Sequence, residues 1–144
     1  MKMPKVYVSA VIDAPIEKVW SVVRNFNGLP DWHPAFADSH IEGGLSPDAV
    51  GCVRNFNLKQ GGNIRERQLA LSDAEHYCTY TILSAPLPLE NYVATLRLRR
   101  ITDGDRTFGE WSAEFETPQP KEMVETITGV FQSGFDALKQ RFKK

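Results

Sequence analysis

Cysteine is almost absent from this chain. Only Cys52 and Cys78 occur among 144 residues, and neither has a close-spaced His or Cys partner. That spacing supports neither a zinc site nor a disulfide framework, so both are expected as reduced core thiols, with no metal and no cofactor. Long apolar runs are also missing. None approaches the roughly 20 residues a bilayer span needs. The N-terminal stretch Val6-Tyr7-Val8-Ser9-Ala10-Val11-Ile12-Asp13 alternates instead of forming the apolar block of a signal peptide. Membrane insertion is not expected, and the cytoplasm is the expected location. Nor is there an excess of one charge: 17 Lys plus Arg stand against 18 Asp plus Glu, a net charge of -1. Electrostatic capture of nucleic acid or of an anionic membrane is therefore not expected, and a monomer is. Whether there is a protein partner is left open by the sequence. The length is that of one domain with a substantial core, read here as 1–144.

What the chain does have is a strongly amphipathic last segment. On a helical wheel, Met123, Val124, Ile127, Val130, Phe131, Gly134, Phe135, Ala137, Leu138 and Phe142 fall on one arc, with Lys121, Glu125, Gln132, Asp136, Lys139 and Gln140 opposite. Glu122 and Glu125 near its start and Lys139, Arg141, Lys143 and Lys144 near its end suit the helix dipole. A helix from Gln119 to Phe142 is about 36 Å long, and strands of ten or eleven residues match it. Gly134 sits near the centre of the apolar arc, where glycine costs about 1 kcal/mol relative to alanine. Two readings stand side by side: close backbone packing against a strand, or space left for a ligand. On the second, Gly134→Leu abolishes binding and leaves the fold intact.

Upstream, Val6, Val8, Ala10 and Ile12 recur at period two and predict a strand over Lys5 to Asp13. Pro15 suits the first position of a helix, with Ile16, Val19, Trp20 and Val23 on its apolar face and Asn25, Asn27 and Gly28 ending it. Leu29 to Trp32 allows one more turn before Pro34 forbids continuation. Six strand-like runs follow: Ser39 to Glu42, Gly51 to Lys59, Asn63 to Ser72, His76 to Ser84, Tyr92 to Thr102 and Thr107 to Glu116. Turn residues such as Gly61-Gly62-Asn63, Pro86-Leu87-Pro88 and Asp103-Gly104-Asp105 separate nearly all of them. The expected fold is therefore α+β: a seven-stranded antiparallel sheet curled around the long C-terminal helix, with two short helices after the first strand.

Alternation sorts each strand into two faces. The inner one carries Cys52, Arg54, Phe56 and Leu58; Cys78, Tyr80 and Ile82; Tyr92, Ala94, Leu96 and Leu98; and Trp111, Ala113 and Phe115. In Asn63 to Ser72 the apolar parity changes near Gln68, which predicts a bulge there. Arg54 and Glu66 share the inner parity on hairpin partners. They form either an internal ion pair, or hydrated rim positions, or the polar end of an apolar pocket that orients a ligand by its carboxylate, hydroxyl or carbonyl. His33 reads as a packing or hydrogen-bonding residue, with proton transfer as its alternative. No Ser, Cys or Asp pattern marks a catalytic triad, so no catalytic residue is assigned. Tyr80, Tyr92 and Trp111 are either core aromatics or pocket walls with polar tips. The loops Gln60 to Asn63 and Ala85 to Leu89 lie at hairpin ends, where they would frame an entrance.

The run Ile12-Asp13-Ala14-Pro15-Ile16-Glu17-Lys18-Val19-Trp20 followed by Leu29-Pro30-Asp31-Trp32-His33-Pro34 resembles the opening of the polyketide cyclase/dehydrase and lipid-transport superfamily, the START-like or SRPBCC proteins. Gly51-Cys52-Val53-Arg54, Glu66-Arg67-Gln68-Leu69, Pro86-Leu87-Pro88 leading to Asn91-Tyr92, and Gly109-Glu110-Trp111 extend the similarity over nearly the whole chain. It is greatest to small stand-alone bacterial members, and more distant to plant abscisic-acid receptors and the birch-pollen allergen. The resemblance implies a helix-grip fold with a hydrophobic cavity between sheet and long helix, and carries pocket-lining roles to Arg54, Glu66, Tyr92 and Trp111. It transfers no catalytic signature, since carriers, receptors, aromatase/cyclases and partner-binding domains share this fold.

Three functions are weighed. The first is binding of a small hydrophobic molecule, such as a lipid, polyketide, isoprenoid or aromatic compound, by His33, Arg54, Phe56, Glu66, Tyr80, Tyr92, Leu96, Trp111, Ile127, Phe131 and Gly134. The second is a cyclase or dehydratase in which Glu66 or His33 moves protons while Arg54 steadies an enolate. The third is a partner-binding module whose core is filled.

Overall fold

The computed structural model describes residues 3–143. Strand β1 (Lys5–Ile12) is followed by helix α1 (Ile16–Val23) and the single turn α2 (Leu29–Trp32). Six strands come next: β2 (Phe36–Ile41), β3 (Val53–Leu58), β4 (Asn63–Ser72), β5 (Tyr77–Ser84), β6 (Glu90–Ile101) and β7 (Arg106–Glu116). Helix α3 (Pro120–Arg141) closes the chain. All neighbouring strands pair antiparallel in the order β1-β7-β6-β5-β4-β3-β2. The last strand thus lies beside the first, and α3 packs across the inner face against β1 and β7. The expected helix-grip arrangement is what the chain adopts. Lys144, counted above among the charges ending the long helix, lies outside the described residues.

Burial follows the alternation. Every second residue of β1 is buried, and on β6 Tyr92, Ala94, Leu96 and Leu98 point inward. On α3 the buried positions are Met123, Ile127, Phe131, Gly134, Phe135 and Leu138. The parity change near Gln68 appears as a register shift between Gln68 and Ala70 where β4 meets β5. This bulge keeps Gln68 buried and leaves Leu69 exposed.

Three of the boundary differences from expectation have a clear physical cause. Pro15 caps α1 instead of entering it: its extended ψ of 148° precedes the helix, and its carbonyl accepts from Lys18 and Val19 N–H. Strand β2 begins at Phe36, not Ser39, because Phe36 pairs with Leu58 across an irregularity that hides the alternation of Phe36-Ala37-Asp38. Strand β3 begins at Val53, since Gly51 has a positive φ of 94° that only glycine adopts easily. At the far end of the sheet, Asp73 accepts from Trp20 Nε1–H at 2.7 Å and from Arg24, fixing α1 to the β4–β5 turn. Cys52 and Cys78 are free and buried. Burial pushes the Cys78 thiol up to about 11, so it stays protonated and unreactive.

Candidate functional site

The curl of the sheet leaves a cavity of about 780 Å³ between its inner face and the middle of α3. That lies within the usual range of roughly 300–1,000 Å³ for small-molecule sites. Phe56, Ile64, Tyr80, Ile82, Tyr92 and Trp111 form the sheet wall, and Thr126, Ile127, Gly129, Val130, Phe131 and Ser133 form the helix wall. Lys59, Gln60, Gly61 and Leu87 also border the space and belong to the two hairpin ends expected to frame an entrance. These ends touch, since a Cβ on Gly62 would stand 3.0 Å from Pro86 Cγ.

At one end the lining turns polar. The hairpin register sets Arg54 directly opposite Glu66. Arg54 Nε and Nη2 both reach Glu66 Oε1, at 2.8 and 2.7 Å, and Nη1 donates to the Phe26 carbonyl at 3.1 Å. The guanidinium lies 4.0 Å from the centre of the Phe26 ring and 4.8 Å from that of Tyr80, positions that favour a cation over an aromatic face. Both side chains are buried. Desolvation pushes the Glu66 carboxyl above the ordinary carboxylate value, and the Arg54 charge opposes it. For Arg54 burial is the largest influence and works against the charge, but attraction to Glu66, the hydrogen bond to it and the neighbouring acidic groups together outweigh burial, and the guanidinium stays cationic. Two N–H groups on one oxygen are a charge-assisted geometry, and we take the pair as ionised. Oε2 of Glu66 is left without a hydrogen-bond partner among the described residues.

The neighbouring aromatic side chains add polar groups to this end. Trp111 Nε1–H donates to Tyr80 Oη at 3.0 Å. Burial drives the Tyr80 and Tyr92 phenols well above their ordinary values, so both keep their protons.

His33 is wholly buried between Phe36 and Trp111. Its Nδ1 accepts from the Ala35 N–H at 3.1 Å, which places the ring proton on Nε2, and Nε2–H donates to the Val130 carbonyl at 2.7 Å. Burial, aided by the Arg54 charge, lowers its pKa below the ordinary histidine value, against the bond to Val130. The ring is neutral with its lone pair engaged, and it staples the segment after α2 to the middle of α3.

Of the residues expected around a ligand, His33, Arg54, Phe56, Glu66, Tyr80, Tyr92, Trp111, Ile127 and Phe131 border the cavity, whereas Leu96 and Gly134 do not. Leu96 is buried on the same face as Tyr92 but four residues along β6, about 13 Å away at strand spacing. Trp111, opposite Leu96 in register, reaches the cavity because its indole extends to Tyr80. Gly134 is a packing glycine. A Cβ there would stand 2.7 Å from Trp111 Cζ3 and 2.9 Å from His33 Cδ2. Its bare backbone admits the His33 imidazole and the Trp111 indole, the latter stacked on Phe131 at 4.5 Å. The other interior glycine of α3, Gly129, is exposed at the rim of the cavity, and a Cβ there would meet nothing within 4 Å. Sequence reading passed over it because it lies off the apolar arc. Ile64, Leu58 and Ile82 also line the cavity, and the alternation that found their neighbours Glu66, Phe56 and Tyr80 points to them too.

The curved sheet, the embraced helix and the largely apolar, partly open space between them define a helix-grip protein with a small-molecule-sized cavity. Residues 3–143 match the family described as polyketide cyclase / dehydrase and lipid transport, and the chain belongs to that family. Among solved structures it resembles the protein XoxI from Bacillus cereus, 33% identical with a TM-score of 0.88 over 97% of this chain and 96% of that one. A protein from Nitrosospira multiformis is 35% identical, with a TM-score of 0.88 over 98% of this chain and 97% of that one. Two curated relatives are abscisic acid receptors of Arabidopsis thaliana: PYL7, 33% identical over 59% of this chain, and PYL10, 31% identical over 67%. The matched stretches span only 40% and 53% of those receptors. Among the described residues no helix is long and apolar enough to cross a membrane.

Proposed function

We propose that this protein is a carrier or sensor that holds one small hydrophobic molecule between its sheet and α3. The observation that carries this reading is the cavity of about 780 Å³, aromatic and aliphatic along its walls and polar at the Arg54–Glu66 end. A cavity of that size, open on one side, leaves apolar side chains without the packing partners a filled core would give them, which is reasonable where a ligand completes it. The family description and the abscisic acid receptors among the relatives lend support. The same void argues against a partner-binding module with a filled core. The cyclase or dehydratase reading is weaker: His33 has its lone pair engaged, and Glu66 has one of its two carboxylate oxygens held by Arg54.

Native mass spectrometry after exposure to a library of lipids, polyketides and aromatic compounds tests the proposal. A one-to-one complex with at least one apolar member is the expected result. Failure of every member to bind overturns it.

A further inference from the structure

The ion pair at the polar end restricts the ligand more than the cavity's shape does. The cation best placed to neutralise a buried acidic ligand is Arg54, and Glu66 already occupies it through two N–H groups on one oxygen. A third donor is held by the Phe26 carbonyl, and the flat faces are covered by the Phe26 and Tyr80 rings. What the pair offers the cavity is dipolar: the N–H groups of Arg54 beyond those three bonds, and the Oε2 of Glu66 that has no hydrogen-bond partner among the described residues. Histidine supplies no charge, since His33 is neutral and bonded at both nitrogens. The remaining cation in the lining, Lys59, is exposed at the β3–β4 hairpin end, where water screens it.

Resting on the binding function proposed above, we propose that the ligand is uncharged: an apolar molecule with a carbonyl or hydroxyl that meets the Arg54–Glu66 pair, and not a carboxylate. A carboxylate driven to this end would sit beside Glu66 with no free countercharge. That is a buried like-charge contact of the kind interiors avoid. A carbonyl accepts from Arg54 without disturbing the pair, and a hydroxyl can also donate to Glu66 Oε2.

The test uses two bicyclic probes of nearly equal shape, 2-acetylnaphthalene and 2-naphthoate, titrated into the whole protein at neutral pH. Calorimetry reads affinity, and the Arg54 Nε–Hε resonance reports which end the polar group occupies. The uncharged ketone is expected to bind at least about tenfold more tightly than the carboxylate and to move the Arg54 signal. Glu66→Gln, which frees the guanidinium, is expected to narrow or reverse the preference. Equal or tighter binding of 2-naphthoate by the unaltered protein, with the Arg54 signal shifted, overturns the charge rule while leaving the binding function standing. Should neither probe bind while other apolar library members do, the assignment to a neutral carbonyl ligand fails alone. Should nothing bind at all, the carrier reading fails with it. The wild-type comparison decides the matter even if Glu66→Gln does not fold.

Discussion

Helix α3 carries two interior glycines five residues apart, and they do opposite things. Around Gly134 the molecule is packed solid: Phe135 and Leu138 are fully buried, Trp111 stacks on Phe131, and His33 reaches past the missing side chain to the Val130 carbonyl. Gly129 instead lies exposed at the rim of the cavity, with no atom within 4 Å of where a Cβ would be. The inward face of the helix holds the sheet together at Gly134, and its middle, from Thr126 to Ser133, borders the cavity. The same division runs through the charges. Arg54 and Glu66 pair inside, and the preceding residue of β4, Arg65, turns outward to Glu42 at 2.6 Å. Where a side chain sits along each element, not only which face it occupies, decides whether it stabilises or receives.

Substitutions that break this contrast are expected to rank as follows. Glu66→Ala leaves the Arg54 charge buried and unpaired and should cost about 3–5 kcal/mol of stability in urea unfolding. Gly134→Leu forces a side chain into Trp111 and His33 and should cost about 3 kcal/mol. A variant as stable as the parent would restore the ligand-space reading of that position. Gly129→Leu should do the reverse, adding up to about 1 kcal/mol through helix propensity. The smallest effect belongs to the outer pair. Hydrogen bonds from Arg65 and Asn55 hold the Glu42 carboxyl at about 2, below its ordinary value near 4.5. The folded state therefore takes up this proton less readily than the unfolded chain. The pair's contribution is present above pH 4.5 and lost as pH falls toward 2. Glu42→Gln should melt slightly earlier than the parent at neutral pH, and the difference should vanish in melts near pH 2.

Much of the fold was legible because it depends on periods. The strand alternation, the bulge at Gln68, the register of Arg54 against Glu66 and the buried stripe of α3 all follow from repeats of 2 and 3.6 residues. The site was legible only in part, because a cavity is a difference in depth that periodicity does not encode. Leu96 obeys the same alternation as Tyr92 yet lies beyond the cavity. Gly134 looked like a gap on the wheel, and it is filled by His33 and Trp111, which arrive from segments about 100 and 23 positions away in a chain whose folding alone brings them there. Gly129 drew no notice because its face is not apolar in sequence, and it borders the cavity because nothing covers it.

The claim that the space beneath α3 receives a small apolar molecule is tested most directly by the three tryptophan indole N–H resonances during titration with an apolar ligand. Trp111 donates to Tyr80 on the cavity wall, whereas Trp20 is bonded to Asp73 at the far end of the sheet. The account predicts that the Trp111 signal moves to saturation at one equivalent, that Trp32, 6.0 Å from Trp111, moves less, and that Trp20 stays in place. A stationary Trp111 signal with a bound ligand, or a shift confined to Trp20, would contradict it.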